Sequence, residues 1–326
     1  MMLKQLTIIA FLLARAAEAA EIEVIGAGAS FPAPAVEAWA KQYSDGAGVQ
    51  LLYRSVGSGE GIRRVTARSA DFAMTDVPLT QAELNQDDLL QFPVVAGAIV
   101  PVVNLPAEVK LTGPQLADIF LGKIANWSAL DPSLPNLPVT VVHRAEGSGT
   151  SFVFTYYLSA VSEEWAGKFG VGSRLHWPAG IAATGNDGVA QAVQEKPGAI
   201  GYVELAYAKK RNLAMAILRN RAGQFVKPSE AAVKAALGAA KWSRPGFYEV
   251  AVDRDGEASW PIVGVSFALI HKRQEDRADA AATLNFFAWI HAHPSQPDYV
   301  TLSDAAFEAG WDQIKDDRGQ PVWRRK

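Results

Sequence analysis

Hydrophobic and polar positions along the chain follow two alternating periods. Short β-branched runs, read as strands, give way to stretches with apolar residues three and four apart, read as amphipathic helices. Residues 21–26 form the first expected strand, and Val36, Trp39, Ala40 and Tyr43 recur at i, i+3, i+4 and i+7 as the apolar face of a first helix. A strand over 49–53, a helix over 61–69 and a short strand over 71–74 follow. Residues 92–103 are an apolar, β-branched run bounded by prolines, long enough for a buried strand passing between domains. Pro114 marks a helix start, with Leu116, Ile119 and Phe120 on one face. Strands over 139–142, 199–204 and 263–271, a helix over 152–158 and a long C-terminal helix carrying Leu284, Phe287, Ala288 and His291 complete the pattern. Such alternation predicts an α/β protein with mixed or parallel sheets.

The first twenty residues are of another kind. Lys4 precedes an apolar run over 6–14, and small residues lead to Ala17-Glu18-Ala19, the pattern of a secretory leader cleaved after Ala19. The run is too short to span a bilayer, and no other stretch reaches about 18 apolar residues. The chain of 326 residues, 49% hydrophobic and 20% charged, has globular composition and room for two domains. The absence of cysteine excludes disulfides, thiolate nucleophiles, iron–sulfur clusters, thiolate zinc sites and a lipidated N-terminus. An exported chain without a lipid anchor points to the periplasm. Net charge is −3, or −4 once Lys4, Arg15 and Glu18 leave with the leader, and no basic run offers a nucleic-acid face.

Three segments share one arrangement, a strand running into a small-residue turn and then a helix. They are Gly26-Ala27-Gly28-Ala29-Ser30-Phe31, Val56-Gly57-Ser58-Gly59-Glu60-Gly61 and Arg144-Ala145-Glu146-Gly147-Ser148-Gly149-Thr150-Ser151. Each presents free backbone N–H groups beside a hydroxyl at a helix N-terminus, where the partial positive charge favours an anion. A single such turn is an ordinary cap. Three in one chain, the last preceded by a strand-end arginine, point to a small oxyanion held by amides, hydroxyls and a guanidinium. None ends in Gly-Lys-Ser/Thr, so a nucleotide triphosphate lacks its lysine. The Gly26-Ala27-Gly28 start of a dinucleotide fingerprint fails at Phe31.

In order along the chain, these segments resemble the periplasmic phosphate-binding proteins of phosphate-specific ABC transporters. Besides the three turns, the matching residues are Pro32-Ala33-Pro34, Asp71-Phe72 through Asp76, Phe152, Gly185-Asn186-Asp187-Gly188 and Pro197-Gly198-Ala199-Ile200-Gly201-Tyr202-Val203-Glu204. The likeness covers nearly all of 24–315. It implies an α/β, two-lobed periplasmic binding protein of type II, with two mixed lobes joined by two crossing strands. Lobe I is expected over 20–102 plus 259–326, and lobe II over 103–258. By the same likeness, inorganic phosphate is held in the cleft by Ser30, Phe31, Ser58 and Asp76 from the first lobe and Arg144, Ser148, Gly149 and Thr150 from the second. Delivery to an inner-membrane ABC permease follows, by a monomer that needs no cofactor, metal or nucleic acid and catalyses nothing.

Physical roles can be argued for these residues. Phosphate at neutral pH carries a proton, so its shell needs many donors and an acceptor. An ionised Asp76 accepts only, and a fully ionised anion such as sulfate has no proton to offer it. Arg144 supplies a planar fork whose competing partner is Glu146, where the family commonly has aspartate. Glu60, in place of a small residue, is expected to face solvent, and Ser30 keeps the hydroxyl of the commoner threonine. Two alternatives stand. One is a protein of this fold for sulfate, molybdate or a carboxylate, which the carboxylate of Asp76 disfavours. The other is a secreted serine hydrolase using Ser58 or Ser148 with a histidine, against which both serines lack Gly-x-Ser-x-Gly spacing. The His291-Ala292-His293 pair diverges on a helix and makes a poor metal site. Residues 316–326 read as an exposed basic end.

Overall fold

In the computed structural model, residues 22–238, 240, 242, 250–294, 296–302 and 310–323 are described. The expected leader lies outside the described residues. Chain order begins with β1 (Ile22–Gly28), α1 (Ala33–Ala47), β2 (Val49–Ser55), α2 (Ser58–Thr66), β3 (Phe72–Thr75), α3 (Gln81–Gln86) and the long β4 (Leu89–Val103). Next come β5 (Lys110–Leu111), α4 (Gly113–Phe120), α5 (Trp127–Leu130), β6 (Thr140–Arg144), α6 (Gly149–Val161), α7 (Glu163–Lys168), β7 (Ile181–Ala183) and α8 (Gly185–Glu195). Then follow β8 (Ala199–Glu204), α9 (Leu205–Lys210), β9 (Ala214–Met215), β10 (Ile217–Arg219), β11 (Phe225–Val226) and α10 (Glu230–Leu237), and finally β12 (Val263–His271), α11 (Arg277–Ala292) and β13 (Tyr299–Thr301).

The main sheet runs β2-β1-β3-β12-β4-β8-β6-β7, with β9 and β13 also pairing β4. β1 is parallel to β2 and β3, because α1 and α2 return the chain to the same end each time. β6 is parallel to β7 and β8 for the same reason. β4 joins the two halves: Leu89–Ala98 pairs antiparallel with β12, and Ile99–Val103 with β8. All fifteen residues of β4 are buried, as a continuous apolar run requires. Near the change of partner the chain crosses back, with Ile99 N donating to Ile262 O and Trp260 Nε1 to Ile99 O. One aromatic cluster gathers Tyr43, Phe72, Phe92, Phe286, Phe287 and Trp311. A second gathers Phe120, Phe154, Trp165, Trp177 and Tyr202. Full burial of Trp39, Trp127, Trp165, Trp260 and Trp311 stabilises each side, at up to about 4–6 kcal/mol per ring.

Several boundaries differ from the sequence reading. β4 runs through Pro93 instead of being bounded by it, because the register against β12 shifts there and leaves Val94 unopposed. The Val94 carbonyl is taken by Leu302 N at 2.8 Å. α2 starts at Ser58 and α6 at Gly149, both three residues earlier than expected, so the small residues of these turns already belong to the helices. Of the end read as exposed and basic, 317–320 are exposed, while Lys315 pairs with Arg273 and Pro321, and Trp323 packs edge-on against Trp311 with Nε1 donating to Asn285. Residues 324–326 lie outside the described residues.

Candidate functional site

The carboxyl ends of β1, β2, β3, β6 and β7 point to one place, the crevice where ligands of open α/β sheets bind. Each end leads within a few residues to the start of α1, α2, α6 or α8 or, from β3, to Asp76. The structure brings all eight expected residues together there, and all are buried. Ser58 Oγ accepts from Asp76 N at 3.3 Å within the first half and from Gly149 N at 3.2 Å across the crevice. Gly59 N reaches Gly147 O at 3.4 Å. Ser30 O accepts from Tyr207 OH at 2.8 Å, and Ser30 Oγ from Asn186 N and Nδ2 at 3.4 and 3.0 Å. The two halves are therefore closed on one another.

Close approach dictates glycine at two points. A Cβ on Gly149 would lie 2.5 Å from Asp76 Oδ2 and 2.6 Å from Ser58 Oγ. Gly57 has φ +89°, and a side chain there would meet Gly147 O at 3.0 Å.

Arg144, at the end of β6, is 4% exposed. Nε donates to Glu146 Oε1 at 2.8 Å, Nη2 donates to the same oxygen, and Nη1 reaches Thr150 Oγ1 at 3.3 Å. Glu146 Oε1 also accepts from Gly185 N at 3.1 Å. The carboxylate thus holds the guanidinium by its Nε/Nη2 edge and leaves Nη1 beside the hydroxyl of Thr150. The pair and an anion site are compatible. Glu60, the other departure, turns along α2 to Arg63 and Arg64 at 2.6 and 2.8 Å, and those bonds hold its carboxyl at about 2.

Asp76 is the one carboxylate among the eight residues. Ser266, opposite on β12, donates to Oδ1, while Oδ2 is buried with no partner. Burial pushes its carboxyl up to about 7, against the Ser266 bond and the Arg144 charge. An aspartate taken from sequence as simply ionised is thus poised near neutrality. The Ser30 and Phe31 N–H groups make no hydrogen bond among the described residues, and the Phe31 carbonyl accepts from Tyr299 OH at 2.8 Å. Ser148 caps α6, its Oγ accepting from Ser151 N at 3.1 Å. Among the described residues, neither Ser58 nor Ser148 has a histidine as a hydrogen-bond partner.

Four residues of the site went unassigned in the sequence. Ser266 orients Asp76; its only signal is a lone hydroxyl inside an apolar strand. Asn186 links Ser30 to Thr150 Oγ1, which its Nδ2 meets at 3.4 Å. Buried Glu204, its carboxyl pushed well above the usual range by desolvation, has Oε2 2.7 Å from Tyr299 OH and accepts from Ala206 N at 2.8 Å. Tyr299 thereby ties β8 and β13 to the turn after β1.

Fold and site together define a class, a two-lobed binding protein with a donor-lined cleft between its lobes. The model of the PBP superfamily domain matches residues 14–292. The phosphate-binding protein PstS of Xylella fastidiosa is 44% identical over 307 residues, covering 87% of this chain and 84% of the relative. That of Pasteurella multocida is 41% identical over 323 residues, covering 92% and 93%. A high-affinity periplasmic phosphate-binding protein solved with phosphate bound shares the fold, with a TM-score of 0.73 at 24% identity over 89% of this chain and 93% of that one. The chain belongs to the PBP superfamily and, within it, to the PstS phosphate-binding proteins.

Proposed function

We propose that this chain binds inorganic phosphate in the cleft between its lobes and delivers it to an inner-membrane ABC permease for import. The observation that carries this reading is the composition of the site. Arg144, the N–H groups of Ser30 and Phe31, the hydroxyls of Ser30, Ser58, Ser148 and Thr150 and the N-termini of α2, α6 and α8 supply donors or positive potential. Among the eight residues, Asp76 Oδ2 is the unpartnered carboxylate acceptor, facing Gly149. An oxyanion with one proton to donate matches that set, whereas fully ionised sulfate or molybdate leaves a carboxylate against an anion. Each charge-assisted bond in a desolvated cleft is worth about 1.5–3 kcal/mol, which outweighs a net charge of −4 acting mainly on association rate.

Closure follows from the same arrangement, because the ligand's contacts are complete only when both lobes supply their residues. Lobe I takes 20–102 and 259–326 and lobe II takes 103–258; the change of partner along β4 and the return past Trp260 support this division. The chain works as a monomer in the periplasm after loss of residues 1–19, without a lipid anchor, and catalyses no reaction. Titration calorimetry of ligand-stripped protein with phosphate and then sulfate tests the assignment. Tight phosphate binding with no sulfate heat is the expected result. Equal binding of sulfate or a carboxylate keeps the fold and overturns the ligand.

A further inference from the structure

A hydroxyl has one donor and two acceptor sites, so the partners it already holds decide what it can still do. Ser30 Oγ accepts from Asn186 N and Nδ2, at 3.4 and 3.0 Å. Thr150 Oγ1 accepts from Arg144 Nη1 and Asn186 Nδ2, at 3.3 and 3.4 Å. Ser58 Oγ accepts from Asp76 N and Gly149 N, at 3.3 and 3.2 Å. In each case both lone pairs face N–H groups of the protein, and the O–H is what remains to offer. Asn186 supplies three of these six contacts. It reaches a residue that follows β1 and another in α6, and so spans both lobes.

Its amide cannot present the opposite polarity. Asn186 is fully buried in the first turn of α8, and Oδ1 accepts from Glu204 N at 2.9 Å. Turning the amide over would set Nδ2 against that N–H and Oδ1 against the hydroxyls.

We propose that Asn186 is a specificity-determining positioning residue of the cleft: by filling both lone pairs of Ser30 Oγ and, together with Arg144, those of Thr150 Oγ1, it restricts these hydroxyls to donation. The inference rests on the oxyanion reading of the cleft. With the hydroxyls so fixed, the acceptors left at the crevice are carboxylate oxygens, Asp76 Oδ2 facing Gly149 and Glu146 Oε2 behind Arg144, against a larger number of donors. A neutral polyol, with as many O–H donors as acceptors, finds too few acceptors there, and a small oxyanion carrying one or two protons fits. Because the two hydroxyls belong to different lobes, Asn186 holds them together only after closure, and its loss acts on ligand escape more than on encounter.

The test compares the wild-type chain with Asn186→Asp and Asn186→Ala, each stripped of ligand and titrated with inorganic phosphate, with dissociation followed by stopped flow. Aspartate keeps the shape but only accepts, so it draws both O–H groups to itself and adds a negative charge. Its expected affinity is weaker by about 100-fold or more. Alanine removes the donors without adding charge, and about a tenfold loss is expected, carried by faster dissociation. A role in packing alone reverses that order, since alanine is the larger change in volume. Alanine as damaging as aspartate, or wild-type affinity in either variant, overturns the proposal. Should Asn186→Asp fail to fold, the alanine variant decides by itself: faster dissociation supports the proposal and an unchanged rate overturns it. A wild-type chain that does not bind phosphate overturns the oxyanion reading, a result distinct from wild-type binding with unaffected variants.

Discussion

Asp76→Asn keeps a side chain's shape and removes its charge, which isolates what burial does to this carboxylate. Asp76 is 2% exposed, and desolvation lifts it to about 7. In the unfolded chain the same group titrates near 3.9. Between these values the folded protein holds a proton that the unfolded chain has released. The stability contributed by that proton is fully present below about pH 4 and is lost as pH rises through about 7. Above about pH 7 the ionised group costs the ligand-free fold about 4 kcal/mol, and at pH 5, where the folded carboxyl keeps its proton, the cost is about 1–2 kcal/mol. Asparagine carries no such cost, and Ser266 can still donate to its Oδ1. The ligand-stripped variant is therefore expected to be the more stable protein, by a margin that grows by about 2–3 kcal/mol between pH 5 and pH 8. Urea unfolding at the two pH values measures this directly. The same substitution puts an N–H donor where the phosphate O–H needs an acceptor, so preference for phosphate over sulfate is expected to fall by about 100-fold or more in calorimetry. A stability margin independent of pH would refute the burial argument, and selectivity retained in the variant would refute the acceptor role.

Gly149→Ala puts a methyl within 2.5 Å of Asp76 and blocks closure; about a 100-fold loss of phosphate affinity is expected, with the ligand-free melting temperature little changed, and calorimetry with scattering before and after phosphate checks it. Glu146→Gln takes the counter-charge from Arg144 and should lower ligand-free stability by about 1–3 kcal/mol. Phosphate then supplies the missing charge, so the rise in melting temperature on adding saturating phosphate becomes larger than in wild type; an equal loss with and without phosphate contradicts this. Tyr299→Phe removes the hydroxyl that lies between Phe31 O and Glu204 Oε2 and is expected to cost about 1–3 kcal/mol in urea unfolding.

Much of the fold was legible in the chain. The strands over 199–204 and 263–271 run where the apolar runs place them, and the buried face of α1 is Val36, Trp39, Ala40 and Tyr43. Local rules suffice there, because periodicity and burial follow from neighbours a few residues apart. The three turns were legible too, since a hydroxyl or glycine after a strand and before a helix states its own geometry, and the resemblance then named residues that the structure gathers into one crevice.

Sequence alone determined the elements with a clear apolar period, the absence of thiol chemistry and the set of donors. Tertiary structure alone decided what each polar group can do with its protons. Ser266 meets Asp76 from 190 residues away, Asn186 meets Ser30 from 156, and Gly149 meets Ser58 from 91. No local pattern encodes those meetings; they arise when β12 and the ends of β1, β2, β6 and β7 are laid against one another. Burial at that junction turns an aspartate that looks ionised in the chain into one balanced near pH 7, because the cost of a charge depends on the water taken from it and not on its sequence neighbours.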